Sequence, residues 1–255
     1  MMPLIALFLA VGLFAGMLLC QEIGRRLGQR HLARNPAGAI GTGAVEGSVL
    51  ALFGLLLAFT FSGAGSRFEA RRHLIVEEAN CIGTAYLRVD LMPAEMQPAM
   101  RNLFKQYLDS RIEVYREISN LTEGQEGFKK SARLQQEIWR LAISACGPDW
   151  PPPGAMLLLP ALNQMFDITT TREMALKEHP PEAIFVLLFG LGLGCSLVAG
   201  FGMSEGRSRN WIHVAGFAAI TAITVYVILD FEYPRLGLIR VDAADRVLVG
   251  LRENM

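Results

Sequence analysis

VEGSVLALFGLLLAFTFSGAGSRFEARRHLIVEEANCIGTAYLRVDL, residues 45–91, changes character once and never breaks. Its first part, Val45 to Gly65, is apolar except for Glu46 at the edge. That is enough to cross a hydrocarbon core of about 30 Å, which takes about 20 apolar residues in a helix. From Ser66 onward charge appears at Arg67, Glu69, Arg71, Arg72, Glu77 and Glu78, while apolar Phe68, Ile75, Ile82 and Leu91 continue among them. Neither Gly nor Pro interrupts the run from Arg67 to Ile82. Gly83 weakens a helix by only about 1 kcal/mol, and Pro93 ends the run. The stretch predicts one helix that crosses a membrane and projects about 35 Å beyond it, at about 1.5 Å per residue.

The rest of the chain repeats the first half of that pattern. Hydrophobic residues make up 52% of the 255, against about 45–50% for soluble domains. They concentrate in four blocks: Pro3–Cys20, Val45–Gly65, Ala183–Met203 and Trp211–Leu229. Lipid cannot satisfy an open backbone, so each block must be a helix. Trp211 and Tyr233 fall where an interfacial aromatic belt would lie. Pro3–Cys20 lacks a basic region before it and a small-x-small site at its end, and Leu19 is too large for a lipoprotein cleavage box, so it is read as retained. Small residues recur in the spans: Gly47, Ala51, Gly54, Ala58 and Ser62 in the second, Gly190 and Gly194 in the third, with Gly192, Ser196 and Gly200 on a nearby face. Such residues let membrane helices approach closely, within a subunit or between subunits.

Between the inner pair of spans the charged residues predict further helices over about 94–119, 126–145 and 155–178. Leu103, Tyr107, Ile112, Tyr115 and Ile118 form the apolar stripe of the first, and Leu134, Ile138, Leu141 and Ile143 that of the second. Gly147–Gly154 is rich in Pro and Gly and breaks the chain. The fold class is an all-α membrane protein, with four transmembrane helices and an inserted extramembrane helical bundle. Residues 1–65 hold the first two spans, 66–181 the helical domain, 182–229 the last two spans and 230–255 a C-terminal tail.

Several functions are disfavoured. Zero net charge gives no basic stripe for nucleic acid. His31, His73, His179 and His213 are not spaced as metal ligands with Cys, Asp or Glu. There is no phosphate loop, dinucleotide fingerprint or nucleophile elbow, hence no implied cofactor. Glu77 and Glu78 are adjacent, so on a helix they point about 100° apart, and a solvated face is the expectation for both. Asn80 and Thr84, one turn apart, read as an inter-helix polar contact, and Asp230 and Arg235 as an interfacial ion pair. Cys81 and Cys146 either bridge in an oxidising compartment or are two buried thiols. No catalytic constellation emerges, which weighs against an enzyme.

Four segments carry a resemblance: LLLAFTFS at 55–62, SRFEARR at 66–72, VEEANCIGTAYLR at 76–88 and DFEYPRLGLI at 230–239. They resemble the core of the bacterial bestrophin-like family, itself distantly similar to the bestrophins, which are pentameric anion channels. The resemblance implies a homo-oligomer, pentameric by analogy, that conducts small ions, with the second span lining the pore. Phe53, Leu56, Thr60 and Phe61 are then candidates for an apolar neck. Lipid packing is the competing role for Phe61 and its neighbour Phe59. No acidic cluster matching the calcium site of bestrophins is evident. The other reading is a membrane-anchored structural, sensory or partner-binding protein.

Orientation divides the signals. Arg25, Arg26, Arg30 and Arg34 in the first connection, with Arg207 and Arg209 in the last, put both connections in the cytoplasm. The helical domain then faces outward from a cell (inner) membrane. Arg67, Arg71 and Arg72, with Arg235 and Arg240, point the other way, as does the bestrophin analogy.

Overall fold

The computed structural model describes residues 2–34, 43–117, 121–146, 152–205, 211–233 and 237–255. Gly147–Pro151, Arg207, Arg209 and Arg235 lie outside these residues, as do Ile118 and the side chain of Tyr115. The described chain is helical, without strands: α1 Met2–Arg34, α2 Gly43–Leu87, α3 Gln97–Glu117, α4 Leu121–Ala145, α5 Pro152–Lys177, α6 Glu182–Gly202, α7 Trp211–Glu232 and α8 Asp242–Glu253. Single 3₁₀ turns follow α2 at Arg88–Leu91 and α6 at Met203–Glu205. Termini are placed where charge favours them. Glu46 and Glu182 sit in the first turns of α2 and α6, and Arg34 in the last turn of α1, each complementing the helix dipole. Four stretches are long and apolar enough to span a membrane: Leu4–Arg34, Gly43–Leu91, Pro153–Gly202 and Trp211–Glu232.

The chain forms two compact units. The first comprises Met1–Phe68 and His179–Leu238. In it α1 packs along α6 and α7, burying Leu13, Met17, Phe53, Leu188, Cys195, Ala218, Val225 and Ile228. The second comprises Glu69–Glu178 and Ile239–Met255. There α3 lies against α4 and α8, and α5 against the turn after α2. Its interior holds Ile75, Ile82, Met100, Phe104, Leu108, Ile138, Leu158, Leu162 and Met165. Fully burying an aliphatic or aromatic side chain contributes about 1.5–3 kcal/mol.

The buried stripes differ in detail from the expected ones. On α3 the buried positions are Met100, Phe104, Tyr107, Leu108, Ser110, Arg111 and Val114, whereas Leu103 and Ile112 are half-buried. On α4 Leu134, Ile138 and Ala142 face inward, and Ile143 is exposed. Nor is the segment after the last span featureless. Its helix α8 is tied into the second unit by Arg252, which grips Asp109 through Nε at 2.7 Å and Nη2 at 3.0 Å. The Tyr86 hydroxyl adds a bond to the Met255 carbonyl at 2.8 Å.

Candidate functional site

Helix α2 has two faces. One is buried along its length: Phe53, Thr60, Ala64 and Phe68 in the first unit, then Arg71, Ile75, Glu78, Ile82 and Ala85 in the second. The steps of three, four and seven are those of one helical stripe. The opposite face is exposed along its length. It carries Ser48, Ala51, Leu55, Ala58, Ser62 and Ser66, and then Glu69, His73, Val76, Asn80, Thr84 and Leu87. Only 11% of the apolar stretch of α2 is buried within the subunit, against 39% of that of α7.

The four neck candidates divide between these faces. Phe53 is buried beside Leu13 and Gly192. Thr60 is buried, its hydroxyl donating to the Leu56 carbonyl at 2.7 Å. Leu56 is half-buried against the core. Phe61 is exposed, with its ring 5.7 Å from that of Phe231. The six packing candidates make no close approach within the subunit. Ala51 and Ala58 are exposed, and a Cβ at Gly47, Gly54, Gly190 or Gly194 would meet nothing within 4 Å. The close crossing is between α1 and α6. A Cβ at Gly24 would overlap the Leu197 carbonyl, and one at Gly200 the Gln21 carbonyl. Gly24 and Gly28 are spaced four apart, the signal for such a crossing, but they lie among arginines beyond the apolar run.

Polar side chains anchor α2 in both units. In the first, Arg67 donates to Glu232 Oε1 through Nε at 3.0 Å and Nη2 at 2.5 Å. His179 Nδ1 lies 3.4 Å from Glu232 Oε2, and its ring lies tilted against that of Tyr233, 4.9 Å away. Asp230 is buried and accepts the Leu238 N–H at 3.0 Å. The ion pair expected between Asp230 and Arg235 lies outside the described residues.

In the second unit Glu78 is fully buried between two guanidiniums. Arg111 Nε donates to Oε1 at 2.5 Å, and Arg172 Nη1 donates to Oε2. Arg172 also lies 3.9 Å from Asp245 of α8. Burial by itself would raise the Glu78 carboxyl, but attraction and hydrogen bonds from Arg111 and Arg172 outweigh it and hold the group below the usual carboxylate range. Arg71 donates to the carbonyls of Ala175 at 3.0 Å and Glu178 at 2.8 Å, satisfying the otherwise unpaired end of α5.

The expectation of a solvated Glu77–Glu78 pair is therefore corrected. Glu77 is exposed, but Glu78 is the centre of a buried ion triad. The signal was the stripe Ile75–Glu78–Ile82, a carboxylate at an inward position, matched by Arg111 between Leu108 and Val114 on α3. Asn80 and Thr84 are both exposed, so neither serves a buried contact within the subunit. All four cysteines are free; Cys146 is exposed and Cys81 half-buried. Among the described residues no group of His, Cys, Asp and Glu gathers to hold a metal.

None of the curated proteins matches this sequence. A solved structure does share its fold. It is that of a bacterial bestrophin homologue from Klebsiella pneumoniae carrying a tyrosine-to-alanine mutation, with a TM-score of 0.66 at 12% identity. The similarity covers 93% of this chain and 98% of that one. At that identity the likeness speaks for the fold. Apolar helices of this length make the chain a multi-pass membrane protein. The sequence itself matches the bestrophin-like domain over residues 11–245, nearly its whole length, and the chain therefore belongs to the bestrophin-like family.

Proposed function

We propose that this chain is the subunit of a homo-oligomeric membrane channel for small ions, with the open face of α2 lining the pore. The observation that carries the reading is the character of that face. The exposed surface of α1 is built from large apolar side chains, Leu4, Ile5, Leu7, Phe8 and Val11, as lipid contact requires. The exposed surface of α2 instead sets Ser48, Ala51, Ala58, Ser62 and Ser66 among the larger Leu52, Leu55, Phe59 and Phe61. Small and hydroxylated residues gain little from lipid tails but suit close helix approach and water.

Leu55 interrupts the small residues of this face, with Leu52 and Phe59 exposed at its flank. We place the apolar neck there, beside the sequence candidates Leu56 and Phe61. Phe53 and Thr60 brace the same helix from its buried side. Such a constriction gates by dewetting and needs no charge within the membrane. Gly47, Gly54, Gly190 and Gly194 are free to meet a neighbouring copy. Five copies is the number that the family's likeness to bestrophins implies. No substrate-transforming site is part of this reading.

The test is native mass spectrometry of the detergent-solubilised protein, followed by ion flux from liposomes. A closed ring with flux is expected, and Leu55→Asn raises that flux several-fold, because a polar ring holds water in the constriction. A monomer or two-fold dimer without flux overturns the channel and leaves the helical unit as the working part, bound to a partner.

A further inference from the structure

The open face of α2 carries a second feature that its apolar section does not explain. From Ser48 to Leu87 its positions are uncharged except at two, Glu69 and His73, one turn apart. Both stand clear of the subunit's packing, with side chains 67% and 80% exposed. Glu69 Oε1 accepts from Arg72 Nη1 at 2.8 Å, at the edge of the face. His73 Nδ1 lies 3.8 Å from Glu77 Oε2, at the other edge. Among the described residues Arg72 and Glu77 are the charged partners of Glu69 and His73, and all four belong to α2.

We infer that Glu69 and His73 form the ion-selecting mouth of the pore, and that protonation of His73 turns its preference toward anions. The inference rests on α2 lining a conducting axis, as proposed above. In a symmetric ring each of the two residues recurs once per subunit at one level, so a single side chain sets the charge of a whole ring. Rings of side-chain charge on a low-dielectric wall concentrate ions of opposite sign. The Glu69 carboxylates favour cations, an effect that Arg72 at the edge reduces. Histidine is the side chain whose ordinary titration falls between pH 5 and 8. Each proton taken up by His73 adds one positive charge per subunit, a turn away from Glu69. The ring at 73 then opposes the ring at 69, and anions enter more readily.

The test is the reversal potential of the full-length protein in planar bilayers under a sodium chloride gradient, at pH 8 and pH 5.5. Acidification is expected to raise the chloride-to-sodium permeability ratio by about threefold or more, as field focusing in such a ring allows. His73→Gln abolishes that rise while current persists. Glu69→Gln raises the ratio at both pH values and leaves the acid-induced rise in place. Current with a ratio that ignores pH and both substitutions overturns this inference and leaves the channel standing. No current from the unsubstituted protein at either pH removes the channel itself, and the selecting mouth with it.

Discussion

Glu78 shows how one side chain can govern a whole helical unit. Its carboxylate joins α2 to α3 through Arg111 and to α5 through Arg172, in an interior that excludes water. Glu78→Gln removes the charge that two buried guanidiniums share, and breaking a buried pair costs about 3–5 kcal/mol. Denaturant unfolding of the detergent-solubilised protein is expected to show a loss of that order in the second unit. The same residue predicts an acid response. Its folded carboxyl titrates below its unfolded value, which for glutamate is about 4.3. Its contribution is therefore complete above that pH and is lost as pH falls through the lower folded value. Stability should decline below about pH 4, and Glu78→Gln should flatten that decline. A variant whose acid profile matches the parent's would remove Glu78 as the cause. The exposed neighbour Glu77 is the control, since one step along the helix turns its carboxylate toward water.

Among the helices, the two sets of small residues make opposite predictions. Gly200 lets α6 meet the Gln21 backbone, and an added Cβ would overlap that carbonyl, which cannot rotate away. Gly200→Ala should cost about 1–3 kcal/mol, the usual penalty of overpacking, read as a lower midpoint of thermal unfolding in detergent. A Cβ at Gly54 meets nothing in its own subunit. Gly54→Leu should therefore leave the unfolding midpoint of the isolated subunit unchanged and shift native mass spectra toward smaller assemblies. An unchanged oligomer would place the Gly54 side of α2 against lipid. The sequence pattern showed that both helices carry small residues in steps of three and four. It did not show which set is used within the subunit, because a Gly reads the same whether a carbonyl or open space lies beyond it.

At the scale of the whole molecule, the side of the membrane on which the second unit lies is open to a direct measurement. Cys146 is free and exposed there, whereas Cys81 is half-buried. Burial, with the carboxylates of Glu77 and Glu78, pushes the Cys81 thiol up and keeps it from forming the reactive thiolate. A membrane-impermeant maleimide added to intact cells should label Cys146 if the arginines of the α1–α2 connection lie in the cytoplasm, as charge counting proposes. Labelling only after lysis would reverse that orientation. The sequence by itself determined the helical class, the four apolar spans, the long uninterrupted α2 and the family, because each follows from local periodicity, span length or contiguous motif residues. Only the tertiary structure decided that Glu78 is buried while Glu77 is not, that Gly24 and Gly200 rather than Gly190 and Gly194 make the close crossing, and that Phe53 and Thr60 turn inward. Those outcomes depend on which face of each helix a partner helix covers, and a partner distant in the chain leaves no mark on the local pattern that it covers.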